Sequence, residues 1–196
     1  MKARPSQHRT LRTPGGRAAA LFLVLAAIVM AAAAPVPRSA PELAIVEPSG
    51  RQTPLSSLKG KVVVIEFLLT RCPHCWRVAQ TLTKLHQELG KQGLQVVGVT
   101  FDNAVNAPLV SRFVASSGVT YPVGYTTADK VDSFLGREAA ERLQVPQVVV
   151  IDRAGVIVAQ SRPRGEPNLE DAAYLRTLIA RLLAAGAPPG APPAQH

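Results

Sequence analysis

Two cysteines, Cys72 and Cys75, stand three positions apart in the stretch "FLLTRCPHCWRVAQTLTKL", and they are the only cysteines in the chain. So close a pair can clip a loop, grip a metal, anchor a haem or exchange electrons with other thiols. A clip is the weakest reading, because a loop this short removes little entropy from the unfolded chain. Zinc asks for four ligands, and there is no second CxxC and no nearby pair of histidines; His86 lies about three helical turns beyond Cys75. Covalent haem attachment asks for CxxCH, and position 76 is tryptophan. Redox exchange is what remains, so neither a metal nor another cofactor is expected.

The neighbouring residues suit that chemistry. Pro73 is pre-organised for the first position of a helix, which puts Cys72 at its N-cap. Unpaired amides and the positive end of the helix dipole then face the Cys72 sulfur. Both favour thiolate, the species that attacks disulfides; cysteines so placed have pKa values of roughly 3.5 to 7.5. His74, between the two sulfurs, adds a donor or a positive charge. Cys75, one turn deeper, is placed to attack a mixed disulfide on Cys72 and release the partner. Glu66 is set among Val62, Val63, Val64, Ile65, Phe67 and Leu68, six residues before Cys72. On so apolar a strand its carboxyl is expected to be buried, with a raised pKa, and able to take the Cys75 proton. The alternative is a strand-edge carboxylate facing water. Pro146 opens another apolar run, "VPQVVVID". It reads either as an ordinary trans strand-initiating proline or as a cis peptide that leaves the Val145 backbone free to pair with a partner's strand.

The elements that must hold these residues alternate. "KVVVIEFLL" and "LQVVGVTF" read as strands covered on both faces. Between them a helix runs from Pro73, with Val78, Leu82, Leu85 and Leu89 on one side and Gly90 as its stop. "LAIVEPSGRQTPL" reads as a hairpin turning at Pro48-Ser49-Gly50, and "QVVVIDRAGVIVAQ" as a second turning at Arg153-Ala154-Gly155. Further helices are expected around Pro108 to Ser116, within Ala128 to Leu143, and on a stripe of Leu175, Leu178, Ile179 and Leu182; a short strand falls near "TYPVGY". A βαβ unit implies parallel pairing and the late hairpin adds antiparallel strands. The expected fold is α/β: a central mixed sheet with helices on both faces.

At the ends the composition changes. Residues 1–34 join a basic stretch (Lys2, Arg4, Arg9, Arg12, Arg17) to the uncharged run Ala18–Ala34, and read as a signal peptide or an N-terminal membrane anchor. In either form the remainder is expected outside the cytoplasm, periplasmic or on the outer face of the membrane. Membrane contact is expected only through residues 18–34, if they are retained. Residues 35–41, "PVPRSAP", read as an extended linker, 42–183 as the folded domain, and the Ala/Pro/Gly-rich 184–196 as a disordered tail. The formal charge is +9, but from Pro35 onward 17 basic residues face 13 acidic ones, a net +4. These charges are scattered and aromatics are few, so a solvated surface is expected rather than a nucleic-acid interface.

Taken together, "LSSLKGKVVVIEF", "TRCPHC", "QVVGVTFD", "TYPV" and "VPQVVVIDRAGVIV" resemble the thioredoxin superfamily, and within it the exported TlpA/ResA-like thiol–disulfide oxidoreductases. The resemblance runs from about Leu55 to Leu182. It implies a thioredoxin-like fold with an extra αβ insertion before a cis-proline. It also implies Cys72 as nucleophile, Cys75 as resolving thiol, Pro146 as the cis-proline facing them, and Glu66 where thioredoxins carry a buried aspartate. The implied substrates are exported proteins with disulfides or thiols, apocytochromes before haem attachment among them, with a membrane thiol donor for recycling. Three departures stand out. Leu68 and Leu69 replace the usual Trp-Ala, Gln147 replaces the usual threonine after the proline, and the dipeptide between the cysteines is Pro-His, as in DsbA-type oxidants. The reading is a disulfide reductase. A DsbA-like oxidant and a peroxiredoxin-like thiol peroxidase are the alternatives, although the peroxiredoxin spacing P-x-x-x-T-x-x-C is missing. A non-enzymatic module binding through the Val145–Pro146 edge is a third, and the intact cysteine pair argues against it.

Overall fold

A computed structural model describes residues 35–102, 106–137, 143–161 and 168–185. The Ala18–Ala34 run and all but the first two residues of the expected tail (184–196) lie outside them. Among the described residues no helix is long and apolar enough to cross a membrane.

The apolar run after Lys61 forms β4 (Val62–Leu68), with all seven residues buried. It is central. It pairs in parallel with β5 (Leu94–Thr100) on one side and antiparallel with β7 (Gln147–Ile151) on the other. Around this trio the sheet runs β1 (Arg38–Ser39), β8 (Val156–Gln160), β7, β4, β5, β6 (Val123–Tyr125), β2 (Ala44–Val46), β3 (Gln52–Pro54). The β4–β5 and β5–β6 contacts are parallel and the others antiparallel. This is the mixed sheet expected from the alternation of elements.

Successive side chains on a strand point to opposite faces, and β4 divides the core accordingly. Val62, Val64 and Leu68 pack under α1 (Pro73–Leu89), α2 (Ala107–Ser117) and α4 (Ala172–Ala185), through Val78, Leu82 and Leu85, Val110 and Phe113, and Leu175 and Ile179. Val63, Ile65 and Phe67 face the other side, against Val131, Phe134 and Leu135 of α3 (Ala128–Leu135) and against Leu43 and Leu55. Helices therefore cover both faces. Each large aliphatic side chain so enclosed contributes roughly 1.5–3 kcal/mol relative to exposure. Glu66, an even-numbered residue of β4, shares the face of α1.

Two boundaries differ from the sequence reading. Arg38 and Ser39, inside the expected linker, form an edge strand on β8, and Arg38 Nη2 donates to Gln160 Oε1 at 2.6 Å and to the Phe134 carbonyl at 3.1 Å. Two residues carry no periodicity, so nothing in the sequence marks them as a strand. The last helix runs to Ala185, two residues past the expected end, and its buried stripe ends on Leu183 while Leu182 is half-buried. The helix expected within Ala128 to Leu143 is found there, as Ala128–Leu135, and Gly136 gives it a left-handed cap at φ 65°.

Candidate active site

The chain leaves β4 at Leu68, turns through Leu69 to Arg71 and enters α1 at Pro73, so the cysteine pair sits at the C-terminal edge of the central strand. Cys72 is the N-cap, with extended φ −86° and ψ 112°, and Pro73 occupies the first turn. The Cys75 backbone N–H donates to Cys72 Sγ at 3.2 Å. That bond satisfies one orphan donor of the first helical turn with the cysteine sulfur itself. The turn before it is fixed on both sides. Trp76 Nε1 donates to the Thr70 carbonyl at 2.8 Å, and the Thr70 N–H donates to Asp102 Oδ2 at 2.9 Å. The Trp76 ring meets Phe113 of α2 edge-on, centroids 5.8 Å apart.

Both cysteines are free thiols, and they are unequal. Cys72 is half-exposed, whereas Cys75 is 0% exposed. Burial pushes the Cys75 thiol far above its ordinary value, and its hydrogen bond with Cys72 and the nearby charges of Cys72 and Glu66 add to the rise.

Glu66 is 0% exposed. Tyr121 Oη, from the segment leading into β6, lies 3.3 Å from Glu66 Oε2 as donor, and 3.4 Å from the Ala79 carbonyl of α1. Glu66 Oε1 has no hydrogen-bond partner among the described residues. Burial raises its pKa well above the ordinary carboxyl value; the Tyr121 hydroxyl opposes the rise, and charge on Cys72 and Glu170 reinforces it. The carboxyl is thus buried rather than at a solvent-facing edge. Tyr121 is held up too, by burial and then by Glu66.

The Val145–Pro146 bond is cis. Pro146 is buried and Val145 half-buried, the latter packed on the same cluster as Cys72 and Cys75. Since Phe67 stands opposite Gln147 in the antiparallel β4–β7 pair, Pro146 falls at the end of β4 that leads into the cysteines. Gln147, which replaces the usual threonine, is buried and donates from Nε2 to the Gln144 carbonyl at 2.9 Å.

Beside the pair a cleft of about 480 Å³ is lined by Leu69, Arg71, Phe101, Asp102, Leu109 and Ala128. His74 projects from the first turn of α1, and its Nε2 is paired with Glu170 Oε2. No group of three or more His, Cys, Asp or Glu residues among the described residues could hold a metal ion.

Sequence reasoning missed Tyr121, Asp102, Trp76 and Glu170 as members of this neighbourhood. Tyr121 contacts Glu66 across 55 positions and Asp102 contacts Thr70 across 32. Only the polar breaks at the ends of β5 and β6 hinted that such residues would gather at one edge.

A dithiol at a helix N-cap, a cis-proline at the same end of the sheet and a buried carboxyl beneath define a thioredoxin-like redox protein. The Redoxin family model matches residues 33–178, and the chain belongs to that family. Thiol-disulfide oxidoreductase ResA of Bacillus thuringiensis (strain Al Hakam) is 27% identical over 123 residues, 63% of this chain and 67% of that protein. ResA of Bacillus subtilis (strain 168) is 28% identical over 119 residues, 61% and 63% of the two chains. The matches thus span about two thirds of these relatives. The crystal structure of a thiol:disulfide interchange protein from Chlorobium tepidum TLS superposes with a TM-score of 0.62 at 24% identity, covering 77% of this chain and 99% of that one; it bears on the fold alone. Within its family the chain is a thiol–disulfide oxidoreductase of the ResA-like branch.

Proposed function

We propose that this protein reduces disulfides in exported proteins through Cys72 and Cys75. The observation that carries the reading is the asymmetry of the pair: a half-exposed cysteine on a helix N-cap, and a fully buried thiol that feels the charge of Glu66, a buried carboxyl with one oxygen lacking a hydrogen-bond partner among the described residues. Cys72, as thiolate, attacks one sulfur of the substrate disulfide; a Cys72–substrate S–S bond forms and the first substrate thiolate leaves. Glu66 first sheds its own proton to solvent; Cys75 then gives its proton to the Glu66 carboxylate and attacks Cys72 Sγ. The Cys72–Cys75 bond forms, the mixed disulfide breaks, and the second substrate thiolate leaves and takes up a proton. The substrate gains two electrons and the protein loses two. A membrane thiol donor restores the dithiol.

Pro73 sets the helix start that places Cys72. Val145 and Pro146 supply the backbone edge on which an extended substrate segment docks, and the cleft beside Leu69 and Phe101 takes its apolar side chain. Apocytochromes awaiting haem, which carry their own paired cysteines, fit as one substrate class. Residues 1–34 bring the domain to the outer side of the cytoplasmic membrane.

The test is a trap. Cys75→Ser leaves the attacking sulfur but not the resolving one, so it should accumulate mixed disulfides with exported proteins, and Cys72→Ser should not. Trapping by both variants or by neither refutes the assignment.

A further inference from the structure

His74 is the residue of the motif that argues for an oxidant, since a donor or cation beside Cys72 stabilises the thiolate and with it the reduced form. In the structure that side chain has a partner other than the sulfur. Its Nε2 is paired with Glu170 Oε2, while Cys72 Sγ takes its hydrogen bond from the Cys75 amide. The two partners come from distant parts of the chain, His74 from the first turn of α1 and Glu170 from the turn that precedes α4.

That turn is anchored. Leu169 is 1% exposed in the core under α1. The Glu170 N–H donates to Asn168 Oδ1 at 3.2 Å, the Asp171 N–H to the Asn168 carbonyl at 3.2 Å, and Asp171 Oδ1 caps α4 by accepting from the Tyr174 N–H at 2.7 Å. Glu170 is therefore delivered to the site by a built segment, 34% exposed against 48% for His74. Its charge also adds, as the smallest of the causes, to the rise in the pKa of the buried Glu66.

We propose that Glu170 is a positioning residue that holds the His74 imidazole away from Cys72, and so keeps the Cys72–Cys75 pair from becoming an oxidant. The proposal rests on the reductase reading and supplies the reason that a Pro-His dipeptide is compatible with it. Reduction of the Cys72–Cys75 disulfide takes two electrons and two protons from two glutathione thiols, which become one glutathione disulfide. Whatever stabilises the Cys72 thiolate draws this equilibrium toward the protein dithiol. With Glu170 in place, His74 serves the carboxylate; without it, the imidazole is released to the sulfur.

The experiment is a double-mutant cycle on the glutathione equilibrium constant at pH 7, in the full chain. Glu170→Gln should raise the constant about fivefold, which at 29.6 mV per decade is about 20 mV toward the oxidising side. In a His74→Ala background the same substitution should change nothing. Glu88→Gln, which removes an equally charged partner from the remote Arg176 pair, serves as the charge control and should leave the constant unmoved. No shift in Glu170→Gln overturns the proposal, and so does an equal shift with and without His74, which would mean that the carboxylate acts on the sulfur directly. The wild-type potential bears separately on the reductase reading. A strongly oxidising wild type would sink that reading, while the coupling between Glu170 and His74 would still be measured.

Discussion

Replacing Glu66 by glutamine removes one proton from the folding equilibrium while keeping the shape of the side chain and an oxygen for the Tyr121 hydroxyl. In the unfolded chain this carboxyl titrates near 4.5; in the fold burial lifts it well above that. Between those two values the folded state holds a proton that the unfolded state has lost. Stability therefore falls as pH rises through the window, by about 1.4 kcal/mol for each pH unit well inside it. The glutamine variant has no such proton, so its stability should gain on the wild type by that slope from about pH 5 upward. Glu42 and Glu47 are held below their ordinary values and act in the opposite sense, at lower pH, and they are common to both proteins. Urea unfolding under excess reductant, at half-unit steps from pH 5 to 8, gives the difference directly. In stopped-flow kinetics the same variant should resolve the Cys72 mixed disulfide at least about 100-fold more slowly, the low end for loss of a general base. A stability difference that is flat with pH would refute the buried, raised carboxyl, and unchanged resolution would refute its role as base.

Other outcomes follow from the same geometry. At pH 7 an alkylating agent should modify Cys72 well before Cys75, whose thiol is enclosed and held protonated; equal rates in a folded sample would count against the asymmetry. Gly124→Ala should cost about 1–3 kcal/mol in urea unfolding or prevent folding. Its Cβ would collide with Ile45 Cγ2 and meet the Val46 carbonyl oxygen at 2.7 Å, and the latter is backbone of the neighbouring strand. A reporter enzyme active only outside the cytoplasm, fused after Leu183, should be active, and a silent fusion refutes export. Rapid peroxide consumption that survives Cys75→Ser would replace the reductase with the peroxidase alternative.

Much of this arrangement is legible locally. The unbroken apolar run of β4 announces a strand covered on both faces, and of the two readings it leaves for a carboxyl within it, Glu66 takes the inward one. Pro73 and the stripe through Val78, Leu82 and Leu85 mark where α1 starts and which side it buries. The hairpin at Asp152 is equally local: Asp152 Oδ1 accepts from the Ala154 and Val156 amides at 2.9 Å each, and Gly155 takes φ 85°. What escapes the sequence is pairing across distance. Tyr121 reaches Glu66 because β6 lies beside β5, and Glu170 reaches His74 because α4 packs on the same face as α1. Neither follows from spacing. A two-residue edge strand such as Arg38–Ser39 is too short for any pattern, and only the open edge of β8 selects it. His74 shows the consequence for function: its type argues for an oxidant, and its partner, 96 positions away, argues against one.

The reduction potential of the Cys72–Cys75 pair, set against a series of glutathione ratios, tests the central claim most directly. A potential near −270 mV or below is the predicted result, in the range of reducing thioredoxins. One near −120 mV, the strongly oxidising extreme, would contradict a reductase whatever its relatives do.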